Sequence, residues 1–543
     1  MVFARRSTTL LAAIIASCAM VLSLTACTSD NKTVVDGQTT VTSNSAGGVA
    51  VFTPSDGITL NQQTPLNKWA KLVPDLAKAL ADAGFKKGDI DHTTSDSLAK
   101  QSRAIQDFVV DHLSNNTTDD SGIAIAPDNM TLLVAPVVEA DASTRQYGDY
   151  ISQNLSTNDA TDGEATSDGE SSEDDSSKDD SSNTESDSTA SDEQAQAVDR
   201  LVSSLKLDKE SGMHVVLLGN SIEGYKPDAF VKFSDAQTIG KLQAEKMVSK
   251  LKLDKASKDN PKYIEVLLPY TAVDEKGNAN DSTFAQEAFR GIWQVLGSYY
   301  QKGVVESPSG TLDGKSTEND WQAVAYDAAK EGSTAKVLDK RLAKTDGQST
   351  LTRIDGIITM NDYIASEVVK ELDDLGYTGS AADINPQITI SGIVGNITGK
   401  KDLSRDAVPD PIKSPENDNA NDSSSSDDDA DEDTSASDKD RDSQWPLVTG
   451  YGAYVSNIPS IVNGKQWMTG MEDRQTIATD IAQACAKLNK DEALNSMPSI
   501  RNSEVGGVKK IPTISEPLLA VSASNLKSAL IDPGYISLAD AGL

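Results

Sequence analysis

Short apolar, β-branched runs alternate along this chain with longer segments whose apolar residues recur every three or four positions. The first pattern has the length of a buried strand, the second the periodicity of a helix packed on one face. The stretch 351–376, LTRIDGIITMNDYIASEVVKELDDLG, carries both. Residues 354–359 predict a buried strand. Ile364, Val368, Val369 and Leu372 then share one face of a helix that Gly376 ends. Asn361 and Asp362 stand between the two, at the carboxyl end of the strand, where open α/β sheets place ligands. The same pair also suits an ordinary helix cap.

The alternation runs through most of the chain. A strand is predicted at 49–53, then a helix at 66–83 with Leu72, Leu76 and Leu80 four apart. A polar strand at 89–94 leads to a helix at 96–113 and a buried strand at 131–136. A helix at 194–207 and strands at 214–218 and 229–233 follow. After Asp235 the pattern restarts: helix 238–251, strand 263–268, helices 283–301 and 321–342, the 351–376 unit, strand 388–393, a further strand near 446–449 and helix 454–462. Repeated βα units predict parallel sheets with right-handed crossovers. Two such runs predict an α/β protein of two lobes, each a parallel sheet flanked by helices.

Charge changes this picture only locally. The net charge is −34, of which 164–193 contributes −11 and 416–442 contributes −10. Both tracts are rich in Ser, Asp, Glu and Asn and nearly free of apolar residues, so neither can bury enough surface to offset chain entropy. They are read as disordered loop insertions over 156–193 and 416–442. An acidic surface also argues against nucleic acid as a partner.

The amino terminus points to export. Arg5 and Arg6 precede an apolar run at 10–24 that is short for a bilayer span, and Leu24-Thr25-Ala26-Cys27 follows. That sequence resembles the lipobox of bacterial lipoproteins, in which the Cys is lipidated and becomes the first residue. A plain signal peptide with an incidental Cys is the other reading. Residues 1–27 are then a signal peptide ending at lipidated Cys27, and 28–48 a polar tether. The three cysteines are Cys18, inside the signal, Cys27 and Cys485. No internal disulfide framework is left, so the core must hold the fold.

The order of segments from 49 to about 532 resembles the type I periplasmic binding proteins, closest to the xylose- and ribose-type sugar-binding subunits of ABC importers. Lys68-Trp69 after the first strand, Lys100-Gln101, Val134-Ala135-Pro136, and Phe233-Ser234-Asp235 with Gly240-Lys241-Leu242-Gln243 carry the likeness. Met360-Asn361-Asp362 and the late 463–469 stretch, NGKQWMT, extend it. The resemblance implies an N-terminal lobe of 49–235 with 450–505 and a C-terminal lobe of 236–449 with 506–543. It also implies ligand capture between lobes that close about a hinge, then delivery to a membrane permease. No cofactor or metal is implied. Trp69 and Trp321 are candidate stacking rings for a sugar face, although each could simply pack on its own helix. Lys68, Asn361 and Asp362 are candidate hydroxyl partners.

Departures from the family reshape the expected cleft. Leu218-Gly219-Asn220 stands where xylose-type members carry Tyr-Asp-Arg, and Gly450-Tyr451-Gly452 where they carry Gly-Gln-Asp. Their Asp-Asn-Asn-Ala appears only as Asn278-Ala279-Asn280-Asp281, and a late Lys is Glu472. Asn220, Asn280, Asp281 and Tyr451 thereby join the candidate ligand-binding set. The cleft has fewer charges, which leaves room for an oligosaccharide or a non-sugar ligand such as a nucleoside.

Catalysis finds little support. The three histidines, His92, His112 and His214, have no metal-binding spacing, and there is no Gly-x-Ser-x-Gly elbow. Residues 395–401, GNITGKK, are one residue short of a phosphate loop and end in Lys. The expected function is an exported, lipid-anchored solute-binding protein on the outer face of the cell membrane, serving an ABC permease. A sensory lipoprotein of the same fold, reporting to a membrane kinase, has the same sequence features. A cell-surface adhesin would need an exposed repeat, and none is seen. Replacing Cys27 with Ala is expected to leave uncleaved precursor or to shed the protein from the membrane fraction. Correct processing with full membrane retention would refute the anchor.

Overall fold

The computed structural model describes residues 46–55, 65–114, 129–138, 145–151, 153–157, 185–273, 279–343, 350–381 and 444–543. The signal peptide, Cys27, residues 28–45 of the expected tether, residues 158–184 of the first acidic tract, the strand expected at 388–393 and the second acidic tract lie outside them; the last residues of the expected tether are described, and Gly48 already begins the first strand.

The chain starts with β1 (Gly48–Pro54), α1 (Trp69–Asp82), β2 (Ile90–Ser95), α2 (Leu98–Ser114) and β3 (Met130–Val134). It continues through a two-residue strand β4 (Asn154–Leu155), α3 (Glu185–Glu210), β5 (His214–Leu218), β6 (Ser221–Ile222) and β7 (Ala229–Lys232). A second run holds α4 (Ala236–Lys250), β8 (Lys262–Val266), β9 (Leu268–Pro269), α5 (Thr283–Gln301), β10 (Val305–Glu306), α6 (Trp321–Val324) and β11 (Ala325–Tyr326). It goes on with α7 (Ser333–Arg341), β12 (Gly356–Ile358), α8 (Asp362–Leu375), β13 (Leu447–Tyr451), α9 (Ile458–Val462) and β14 (Met468–Met471). Last come α10 (Arg474–Leu488), β15 (Ile500–Val505), β16 (Val508–Ser515) and β17 (Leu519–Ser522).

The strands form two main sheets. One has the order β15-β16-β7-β5-β3-β1-β2, the other β10-β8-β12-β13-β14-β17. Pairing is parallel except at the β15–β16 hairpin and at β17. Burial follows position. β3 and β13 lie inside their sheets and are buried at every residue, as strands covered on both faces must be. The polar β2, IDHTTS, is mostly exposed and forms an edge. The two-lobed α/β architecture expected from the alternation is the one observed.

Among the described residues, three connections join the lobes. Ser234-Asp235 links β7 to α4, Glu472-Asp473 links β14 to α10, and residues 516–518 link β16 to β17. The expected lobe boundaries shift accordingly. β13 and β14 belong to the second sheet, so the return to the first lobe comes at Glu472 and not near 450. β16 belongs to the first sheet, so the last crossing follows Ser515 and not 505. Apolar periodicity identifies a strand but does not say which sheet it joins.

Two further expectations change. The helix predicted over 321–342 is broken: Ala325 and Tyr326 leave it to pair with Leu268 and Pro269, and Gly332 restarts it from the left-handed region (φ 71). The first acidic insertion is shorter than read, because α3 is already helical from Glu185.

α4 and α5 pack closely enough that neither tolerates a side chain at its crossing point. A Cβ on Gly291 would lie 2.0 Å from the carbonyl oxygen of Gln237, and one on Gly240 2.2 Å from that of Ala288. Gly291→Ala must push the helices apart and is expected to cost about 1–3 kcal/mol. A urea titration would show this as a lower midpoint; an unchanged midpoint would contradict so close a crossing.

Candidate functional site

The carboxyl ends of both parallel sheets carry the loops that face the interlobe cleft, where ligands of such sheets bind. On the first lobe, β1 leads into Lys68 and Trp69 at the start of α1. Trp69 is buried, set edge-on to Tyr150 (5.1 Å between centroids) and Phe233 (5.7 Å), and those two rings stack at 4.7 Å. Lys68 is the N-cap residue of α1 but supplies no capping side chain, and the first turn has no acid. The cap comes from elsewhere in the chain. Asp149 accepts a hydrogen bond from the Trp69 backbone N–H (3.1 Å) and pairs with Lys68 Nζ (2.7 Å). A carboxylate there satisfies an orphan N–H and opposes the helix dipole.

On the second lobe, Asn361 and Asp362 do different work. Asn361 caps α8, its Oδ1 accepting from Ile364 N–H (2.9 Å), while its Nδ2 donates to Gln146 Oε1 (3.1 Å). The helix-cap reading and a contact across the cleft therefore coexist in one side chain. Met360 before it is held at φ 69, a costly conformation for a non-glycine residue, and Gln243 Nε2 donates to its carbonyl at 3.0 Å. Asp362 has no solvent exposure. Its oxygens accept from Gln466 Nε2 (2.7 Å), Thr469 Oγ1 (2.9 Å) and Tyr454 N–H (2.9 Å), all within the second lobe. A Cβ on Gly450 would come within 2.2 Å of its Oδ1, so only glycine leaves room for this carboxylate.

Tyr451 is buried, with its hydroxyl donating to Glu472 Oε1 at 3.4 Å. Asn220 holds two loops of the first lobe: its Nδ2 donates to the Pro136 carbonyl and its Oδ1 accepts from Gln153 N–H. Asn280 and Trp321 meet at Tyr270 inside the second lobe. Asn280 Nδ2 donates to the Thr271 carbonyl, its own carbonyl accepts from the Tyr270 hydroxyl, and Trp321 lies edge-on to the Tyr270 ring. Asp281, just before the N-cap residue of α5, accepts from the backbone N–H and the hydroxyl of Thr283 at the start of that helix.

A cavity of about 430 Å³ opens between the lobes beside the first crossing. Gln153 and Asn154 line it from the first lobe, Asp281, Phe284 and Glu287 from the second, with Asp235 and Gln237 at the crossing and Ile151, which packs into the second lobe's core, between them. Of the nine ligand-binding candidates only Asp281 lines it. The sequence reading missed residues 146–151 and 153–154, which between them face both lobes. Their one signal is the apolar trio Tyr147, Tyr150 and Ile151 among polar residues.

Two buried carboxyls are raised by loss of solvation, Asp362 to about 6 and Glu472 to about 7. Glu472 sits in the second crossing and accepts from the Ser234 N–H of the first (2.7 Å), so it ties two of the three connections together. Folded values above the ordinary ones mean that the stability these groups add is fully present at low pH and is lost as pH rises through about 6 and 7. Glu472→Gln imitates the protonated acid and keeps the acceptor for Ser234. Its stability relative to the parent is expected to rise between pH 5 and pH 8, by an amount on the order of 1–3 kcal/mol. Parallel urea titrations at the two pH values would test this, and a pH-independent difference would contradict it.

No protein-family model and no curated protein matches this chain. Among solved structures it is similar to an ABC transporter solute binding protein from Clostridium phytofermentans with bound β-D-glucose. That match has 17% identity and a TM-score of 0.44, covering 91% of this chain and 99% of the other. It is also similar to a carbohydrate transporter solute binding protein from Chloroflexus aurantiacus in complex with D-glucose, at 17% identity and TM-score 0.43, covering 92% and 98%. A third is a periplasmic ribose ABC transporter protein from Conexibacter woesei, at 13% identity and TM-score 0.43, covering 90% and 96%. These likenesses add nothing to the topology already described, and the function rests on this chain's own geometry.

Proposed function

We propose that this chain is an exported, lipid-anchored solute-binding protein that captures a sugar or oligosaccharide between its lobes and delivers it to an ABC permease. The observation that carries this reading is the cavity between two lobes that three short connections join among the described residues. Its volume is within the range of small-molecule sites. Its lining combines the amides of Gln153 and Asn154, the carboxylates of Asp281 and Glu287, and the ring of Phe284. Planar amides and carboxylates pair with hydroxyls, and a ring covers a C–H face, which together suit a polyhydroxylated solute. Discrimination follows because a buried polar group left unmatched costs roughly 1–3 kcal/mol.

Lobes connected by a few short crossings can close about a hinge, and closure is what a permease would read. The lipid proposed at Cys27 would keep the protein near that permease and raise the effective concentration for docking. No described helix is long and apolar enough to cross a membrane, and the anchor would supply membrane attachment.

A thermal-shift screen of the full chain against mono- and oligosaccharides tests the reading. A solute at a hundredfold excess over its dissociation constant adds about 2.7 kcal/mol of apparent stability, a visible rise in melting temperature. Gln153→Ala is expected to weaken that solute at least tenfold by calorimetry while leaving the ligand-free melting temperature near the parent's. If a nucleoside or peptide shifts melting and no carbohydrate does, the sugar assignment falls.

A further inference from the structure

The middle of the cleft is filled by the chain itself. Residues 146–151, QYGDYI, follow the third strand of the first lobe and lie against both lobes. Toward the first lobe, Asp149 pairs with Lys68 and caps α1, its N–H donates to the Asn67 carbonyl (2.8 Å), and Tyr150 joins the Trp69–Phe233 ring cluster. The Tyr150 hydroxyl also donates to the Lys68 carbonyl at 2.5 Å. Toward the second lobe, Gln146 accepts from Asn361 Nδ2 on its side chain and from the Tyr454 hydroxyl on its carbonyl, at 3.1 and 2.6 Å. Tyr147 lies 4.7 Å from the Phe284 ring and 6.2 Å from Tyr451, and with Ile151 it belongs to the second lobe's hydrophobic cluster.

Neighbouring residues thus bury their rings in different cores, Tyr147 in the second lobe's and Tyr150 in the first's. Gly148 makes that divergence possible. It has φ 96, and a Cβ there would lie 2.5 Å from the Asn67 carbonyl oxygen. Lys68, Trp69, Asn361 and Tyr451, four of the residues expected to meet a solute, all touch this segment. A bound solute would be asked to make the same kinds of contact: an amide bond, an ion pair, a ring face.

We propose that residues 146–151 are a built-in latch that occupies the centre of the cleft, holds the lobes closed in the absence of solute and confines solute to the cavity beside it. The proposal rests on the solute-binding reading for its last part only; the closed ligand-free state follows from the contacts themselves. Because the latch is part of the chain, its effective concentration at the cleft is that of an intramolecular ligand. A solute that needs the lobes apart would bind with an affinity reduced by the fraction of molecules that are open, about a hundredfold if that fraction is 1%.

Nitroxide labels on Lys78→Cys in the first lobe and Lys340→Cys in the second measure the interlobe distance on the full chain. Both sites are exposed and Cys485 is fully buried, and Cys18 and Cys27 are replaced by Ser so that only the two introduced thiols are labelled. Without solute, the parent is expected to give one narrow distance. Tyr147→Ala, and separately Gln146→Ala with Tyr454→Phe, are expected to add a longer-distance population. The second variant removes only side-chain polar contacts to the latch and spares both hydrophobic clusters, so it keeps the test open should Tyr147→Ala misfold. A ligand-free parent that already shows the longer distance, or two folded variants that keep the single parental distance, would overturn the latch. Neither result depends on the identity of the solute. Conversely, variants that open but that no carbohydrate re-closes would count against the sugar reading and leave the latch standing.

Discussion

A carboxylate without access to water must find its hydrogen bonds inside the protein, and Asp362 organises the second lobe for that reason. It stands at the first turn of α8 and accepts from groups that belong to β14, to the loop after β13 and to the approach to β14. Three strand ends are fixed against one another through two oxygen atoms. Asn457 extends the arrangement by donating to both the Asp362 carbonyl and Gln466 Oε1. Tyr454, held at its backbone by Asp362, then presents its hydroxyl to Gln146. The geometry of the cleft wall therefore starts from a side chain that is not itself in the cleft.

The connections between the lobes show the same economy. Ser234 and Glu472 lie in different crossings and share one short hydrogen bond, with the Tyr451 hydroxyl on the same carboxyl oxygen. A hinge of this kind is narrow, and a rotation about it moves whole lobes while disturbing few contacts. The segment 146–151 opposes such a rotation because its two tyrosines are anchored in separate cores. Its Asp149 completes a helix whose own sequence lacks a cap, so local stability of α1 and closure of the cleft are coupled.

Much of this could be read along the chain. The strand and helix of 351–376 are present, with Asn361 as cap and Gly376 ending the helix at φ 94, because the signals for both are local: a β-branched run, a capping side chain, a glycine free to adopt positive φ. The two-lobed α/β class followed from repetition of that unit. Candidate residues could be sought at strand ends, since a strand's carboxyl end is a property of its sequence direction. What local signals could not settle was pairing. β13 and β14 read as strands near a lobe boundary, and only their hydrogen bonds to β12 and to each other place them in the second sheet.

The roles of the site residues were decided by tertiary structure, for a physical reason that applies to each. A polar side chain takes whichever partner the fold brings to it, and that partner is usually far away in sequence. Lys68 finds Asp149, Asn361 finds Gln146, and Asp362 finds Gln466 and Thr469. Residue type and strand-end position determined that Asn361 and Asp362 would stand at the junction between a buried strand and the helix that follows it. Whether each would face solvent, a solute or the chain itself depended on a loop with no periodicity of its own, whose path is set by where two tyrosine rings can be buried.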